Sequence, residues 1–116
     1  MTPRPNILFF FPDQHRYDWL GSRPEVPVRT PNLDALARRG VRFENAICPS
    51  PLCAPARACL AAGKEYDRCR VPDNSFNYPL DQTTFYTLMR DTPSPEMGYH
   101  LAGCGKFDLA KAMHDW

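Results

Sequence analysis

Asn32-Leu33-Asp34-Ala35-Leu36-Ala37-Arg38-Arg39-Gly40-Val41-Arg42-Phe43-Glu44-Asn45-Ala46-Ile47 changes its apolar period at Gly40. Before the glycine, Leu33, Leu36 and Ala37 recur at i, i+3 and i+4, which puts them on one face of a helix. Asn32 can cap that helix and Gly40 supplies its stop. After the glycine, residues 41–47 alternate in the manner of a half-buried strand. Further upstream, Asn6-Ile7-Leu8-Phe9-Phe10-Phe11 is a short apolar run bounded by Pro5 and Pro12. Such a run reads as a strand covered on both faces, as in a mostly parallel sheet. Strand, helix and strand make a βαβ unit, and the expected fold class is α/β.

Downstream, Cys48-Pro49-Ser50-Pro51-Leu52 is a rigid turn region that leads into good helix formers from Pro55 to Ala62, closed by Gly63. Pro55 falls in the first turn, where a missing N–H costs least. Residues 64–82 read as loop. Thr83 or Thr84 can cap a third helix that runs through Arg90, and Pro93 and Pro95 prevent its continuation. His100 to Cys104 is a third strand candidate, ending at Gly105-Lys106. The 13 prolines among 116 residues are scattered between apolar segments, so they mark ordered loops.

A net charge of +1 with interspersed signs leaves no footprint for nucleic acid or for an anionic membrane, and neither partner is expected. The apolar run at 7–12 is shorter than the ~7–15-residue core of a secretory signal, and a cytoplasmic location is the expectation. The five cysteines, Cys48, Cys53, Cys59, Cys69 and Cys104, are odd in number and contain no C-x-x-C pair. This argues against a disulfide framework or a structural zinc site. His15, His100 and His114 have no metal-ligand partner at helical spacing.

Two polar groups fall just past strand ends, where open α/β sheets bind ligands. Asp13 and Gln14 offer hard oxygens suited to Ca2+ or Mg2+, or else form an ordinary solvated turn. Cys53 stands at or just before a helix N-terminus, which favours an anion, and Arg57 at i+4 can reach back to the same face. The alternative is a structural cysteine with a surface arginine on the same helix. Lys106, past the third strand, can pair with an anionic substrate or stand in solvent.

Cys53-Ala54-Pro55-Ala56-Arg57, continued to Gly63-Lys64, resembles the sulfatase signature C-x-P-x-R with its following helix and Gly-basic pair. Asn6 to Gln14 resembles the family's opening strand and metal-binding acid. Thr30-Pro31-Asn32-Leu33-Asp34-Ala35-Leu36-Ala37 through Gly40-Val41-Arg42-Phe43 resembles its T-P-N-L-D-x-L-A … G-x-x-F segment. Gly98-Tyr99-His100 through Gly105-Lys106-Phe107-Asp108-Leu109 resembles its G-Y … G-K-x-x-L segment. The four segments follow the family's order and cover nearly the whole chain. Residues 1–116 are thus expected to be the N-terminal part of a sulfatase catalytic domain, within an alkaline-phosphatase-like α/β/α sandwich.

The resemblance implies a mechanism. A separate formylglycine-generating enzyme oxidises the signature cysteine to an aldehyde. One hydroxyl of its hydrate, aided by a divalent cation (calcium, or Mg2+ or Mn2+), attacks the sulfur of a small-molecule sulfate ester. The second hydroxyl then collapses to the aldehyde and expels sulfate, an exit that a serine lacks. By position, Cys53 is implied as nucleophile precursor and, once modified, metal ligand. Arg57 is implied to hold the modified side chain, and Asp13 and Gln14 to bind metal. Lys106 is implied to contact the sulfuryl group, and Lys64 to take a second basic position nearby.

Departures from the pattern are Gln14 for the usual Asp, Ala56 for Ser or Thr, Lys64 for Arg and Asp108 for His. Gln14 beside Asp13 also occurs in a branch with phosphonate and phosphate ester hydrolases, which is the alternative activity. A non-catalytic module is the other alternative. The family's later metal and leaving-group residues have no counterpart after Lys106, so the chain is expected to be a partial product, inactive by itself.

Overall fold

The structure is a computed structural model and describes residues 5–91 and 99–109. Contacts divide the chain into two compact units, Met1–Asn45 and Ala46–Trp116. Each is described by itself.

In the first unit, helix α1 spans Pro31–Arg39. Thr30, not Asn32, is its N-cap residue, and Pro31 takes the first helical position. That order is physically favoured because proline's fixed φ suits the first turn and its absent N–H has no partner to lose there. The Thr30 hydroxyl makes no bond to the helix backbone. It accepts from the Gly21 N–H at 2.8 Å and donates to Asp34 Oδ1 at 3.0 Å, tying the preceding loop to the first turn. Gly21 is required by this approach, since a Cβ there would stand 2.7 Å from the Thr30 nitrogen. Asp34 in the first turn and Arg38 and Arg39 in the last oppose the ends of the helix dipole. The Tyr17 hydroxyl and Arg42 both bond to the Glu44 carboxylate, and together they hold its pKa below the usual carboxylate range.

The second unit is built around α2, Cys53–Ala62. Ala54, Ala58 and Ala61 recur on one face, and with Pro55 and Cys59 they are buried. Small side chains let the helix pack closely against Cys69, Val71, Tyr78 and Leu109, which complete the core. The helix ends where Gly63 turns left-handed at φ 62°, and the N–H groups of Gly63 and Lys64 both donate to the Cys59 carbonyl. A 3-10 turn at Tyr66–Arg68 then brings Cys69 back under α2. Helix α3, Phe85–Arg90, opens with a reciprocal cap. The Thr87 N–H donates to Thr84 Oγ1 at 3.2 Å, and the Thr84 N–H to Thr87 Oγ1 at 3.0 Å. The Tyr78 N–H donates to the Leu109 carbonyl at 2.7 Å, which fastens the segment around Lys106 to the core.

No strand occurs among the described residues. The segments at 6–11, 41–47 and 100–104, expected as strands, are turns and irregular backbone instead. The sheet of the expected α/β class is accordingly not seen. The physical reason is that a strand exists only through its neighbours. Leu8 is 91% exposed and Ile47 90% exposed, so neither segment has met a covering layer. Pro93 and Pro95, the expected stop for α3, lie outside the described residues, as do Gly98 and His114. Among the described residues no helix is long and apolar enough to cross a membrane.

Candidate active site

Cys53 is the first residue of α2, as expected, and is half-buried. Its neighbour Leu52 is the N-cap residue, whose side chain can make no capping bond. One backbone donor of this helix end is served from elsewhere: the Ala54 N–H donates to Asn74 Oδ1 at 2.9 Å. Asn74 belongs to the loop Pro72-Asp73-Asn74-Ser75, in which the Ser75 N–H donates to Asp73 Oδ1 at 2.7 Å. A remote amide therefore caps the helix that presents Cys53, a role with no sequence signal beyond an Asp-Asn turn.

Lys106 arrives at this helix end from the last described segment. Its Nζ lies 3.3 Å from Cys53 Sγ and 3.3 Å from Asp108 Oδ2. Arg57, one turn along α2, donates from Nη1 to the Lys106 carbonyl at 2.7 Å. The structure thus gathers Cys53, Arg57 and Lys106, three of the residues singled out from sequence. Asp108 joins them from a left-handed backbone at φ 52°. Tyr86 on α3 is a further neighbour: burial raises its phenol pKa, and the positive charge of Arg57 opposes that rise.

A side chain at position 53 faces an ammonium and the positive end of a ten-residue helix. Chemically, this arrangement stabilises negative charge built up at the tip of that side chain.

Lys64 is placed differently. It follows Gly63, at the opposite end of α2 from Cys53, a helix about 15 Å long by its residue count. Its Nζ donates to Gln82 Oε1 at 2.7 Å, and the buried Gln82 passes Nε2 on to the Cys69 carbonyl at 2.8 Å. The structure does not bring Lys64 to the Cys53 group.

Asp13 and Gln14, in the first unit, are exposed, with Gln14 in a left-handed conformation at φ 55°. Their oxygens suit calcium in kind but fall short of its ~6–8 ligands in number. Among the described residues, no three His, Cys, Asp or Glu side chains cluster to hold a metal. Of the other cysteines, Cys48 and Cys104 are exposed thiols, while Cys59 and Cys69 are buried.

A family model described as Sulfatase matches residues 5–111. The chain is 46% identical over 106 residues to an ulvan-active sulfatase of Formosa agariphila, covering 91% of this chain and 20% of that protein. It is 40% identical over 105 residues to a choline-sulfatase of Rhizobium meliloti, covering 90% of this chain and 20% of the relative. To an N-acetylglucosamine-6-O-sulfatase of Bacteroides thetaiotaomicron it is 34% identical over 108 residues, covering 93% and 18%. The chain therefore spans about a fifth of the length of these relatives. No solved structure matches.

Proposed function

The chain belongs to the sulfatase family, and from that premise we propose that it carries the nucleophile-bearing part of a sulfuric ester hydrolase. The single observation behind this reading is the contact of Lys106 Nζ with Cys53 Sγ at 3.3 Å. Two residues separated by most of the second unit are brought together, which supports reading them as nucleophile precursor and sulfuryl-binding lysine.

Cys53 is the proposed nucleophile precursor, to be oxidised by a formylglycine-generating enzyme. The hydrated aldehyde so made supplies a nucleophile that can release itself from sulfate. The chain's own residues account for charge and position. The Lys106 ammonium and the N-terminus of α2 face the point where the sulfuryl oxygens of a small-molecule sulfate ester gain charge. Arg57 fixes the Lys106 main chain, and Asp108 holds the ammonium from its other side. Cys53 is only half-buried, so it fits the role of a modified residue better than the buried core thiols Cys59 and Cys69.

Asp13 and Gln14 are the chain's proposed contribution to a divalent metal site, with the remaining ligands from elsewhere in the protein. The apolar segments at 6–11, 41–47 and 100–104 are proposed to enter the mostly parallel sheet of the family's alkaline-phosphatase-like fold. No observation favours the phosphonate or phosphate alternative over sulfate, and the relatives above are all named as sulfatases.

The test is mass spectrometry of the Cys53 peptide after co-expression with a formylglycine-generating enzyme. The expected product has lost sulfur and two hydrogens and gained one oxygen, with Cys59 in the same peptide unchanged. An intact Cys53 thiol, under conditions that convert a control sulfatase, overturns the assignment.

A further inference from the structure

Asp108 is the acidic member of an otherwise basic group. Its Oδ2 lies 3.3 Å from Lys106 Nζ, and that ammonium lies 3.3 Å from Cys53 Sγ. The carboxylate therefore stands no farther from Cys53 Sγ than these two contacts laid end to end. The backbone on both sides of it is pinned. Arg57 holds the Lys106 carbonyl at 2.7 Å, and the Tyr78 N–H holds the carbonyl of the buried Leu109 at 2.7 Å. The Phe107 ring lies over Gly103, so close that a Cβ there would stand 2.4 Å from Phe107 Cζ. Asp108 itself turns left-handed at φ 52°, a region that Asp and Asn enter more readily than most side chains. Its side chain is 21% exposed, against 42% for Lys106, so the carboxylate is the more enclosed half of the pair.

A fixed carboxylate at an anion site acts differently on anions of different charge. A sulfate monoester carries a single negative charge, whereas a phosphate monoester above its second pKa of about 6 carries nearly two. Both are tetrahedral, and both are drawn to the Lys106 ammonium and to the N-terminus of α2. Asp108 repels each in proportion to its charge, so the dianion meets twice the repulsion.

We propose that Asp108 is a specificity-determining residue, whose negative charge beside Lys106 selects monoanionic sulfate esters over dianionic phosphate esters. The proposal rests on the sulfuric ester reading above and adds to it the means of discrimination. Across about 7 Å, with an effective dielectric between that of a protein surface and that of water, one additional ligand charge shifts binding on the order of tenfold.

The experiment uses the full-length protein that carries this segment, with Cys53→Ala so that neither ester is turned over. Phenyl sulfate and phenyl phosphate are titrated calorimetrically at about pH 8, where the phosphate is dianionic, and at low ionic strength, where screening is weak. The quantity read is the ratio of the two Kd values, in which any general loosening of Lys106 cancels. Asp108→Asn keeps the shape and tolerates the left-handed backbone but removes the charge, and it shifts the ratio toward phosphate by about tenfold. Asp108→Glu keeps the charge and holds the ratio within about threefold of the parent's. An unchanged ratio in Asp108→Asn, or an equal shift in both variants, overturns the proposal while leaving the sulfuric ester reading in place. Absence of phenyl sulfate binding to the parent, or binding that Lys106→Ala leaves unaltered, overturns that reading and the proposal with it.

Discussion

Asn74→Ala tests whether a single remote amide holds the end of the helix that presents Cys53. The acceptor lost is Asn74 Oδ1, 2.9 Å from the Ala54 N–H. Ala54 is fully buried, so water has little access to replace it. Removing a helix cap typically costs about 1 kcal/mol, and stranding a buried donor about 1–3 kcal/mol. Asn74 itself is half-buried and its removal opens a path for solvent, which places the expected loss at about 1.5 kcal/mol. Urea unfolding followed by circular dichroism reads this directly. With a slope of about 1 kcal/mol/M for a chain of this size, the midpoint falls by roughly 1.5 M at unchanged slope. Asn74→Asp keeps the acceptor and adds a negative charge near the helix N-terminus, so it stays within about 0.5 kcal/mol of the parent at neutral pH. An Asn74→Ala midpoint equal to the parent, or an Asn74→Asp loss as large as the alanine's, refutes the capping argument.

Two further outcomes follow from the same geometry. Gly63→Ala places a side chain at φ 62° with nothing within 4 Å of the new Cβ, so its cost is purely conformational, about 1–2 kcal/mol by the same urea titration; Gly63→Asn costs less, and a clash-sized loss for both contradicts the reading. In an active sulfatase that carries this segment, Lys106→Ala lowers kcat/KM for an aryl sulfate by about 10²–10³-fold, while Cys53 conversion measured by mass stays unchanged.

The helices were legible because their signals are local. A glycine stop after Ala62, a threonine before Phe85 and a proline in the first turn of α2 each act on bonds within a few residues. The cap of α1 lies two residues before Asn32, because Thr30 and Asn32 flank a proline and either can precede a helix on composition alone. What the chain does not determine locally is lateral pairing. The runs Ile7 to Phe11 and Val41 to Ile47 have the pattern of strands, yet a ladder is made by residues far away in sequence, and no strand forms among the described residues. The active-site group divides in the same way. Cys53 and Arg57 share a helix, so their proximity follows from its pitch. The arrival of Lys106 depends on the Tyr78–Leu109 tie and the core beneath it, which no spacing rule anticipates. Lys64 was expected near Cys53 from the family pattern, but α2 carries it to the other end. Asn74 carries no sequence signal of its own, because a cap supplied from twenty residues downstream looks like any loop amide.

The Arg57 bond to the Lys106 carbonyl has a consequence for reading substitutions at position 57. The guanidinium acts on the main chain of the very residue whose ammonium faces Cys53, so the signature arginine and the lysine form one mechanical linkage. Loss of Arg57 removes a charge and also unlatches the strap on which the second charge rides. The two positions thus behave as a single unit under mutation, and energies measured one at a time count the shared latch twice.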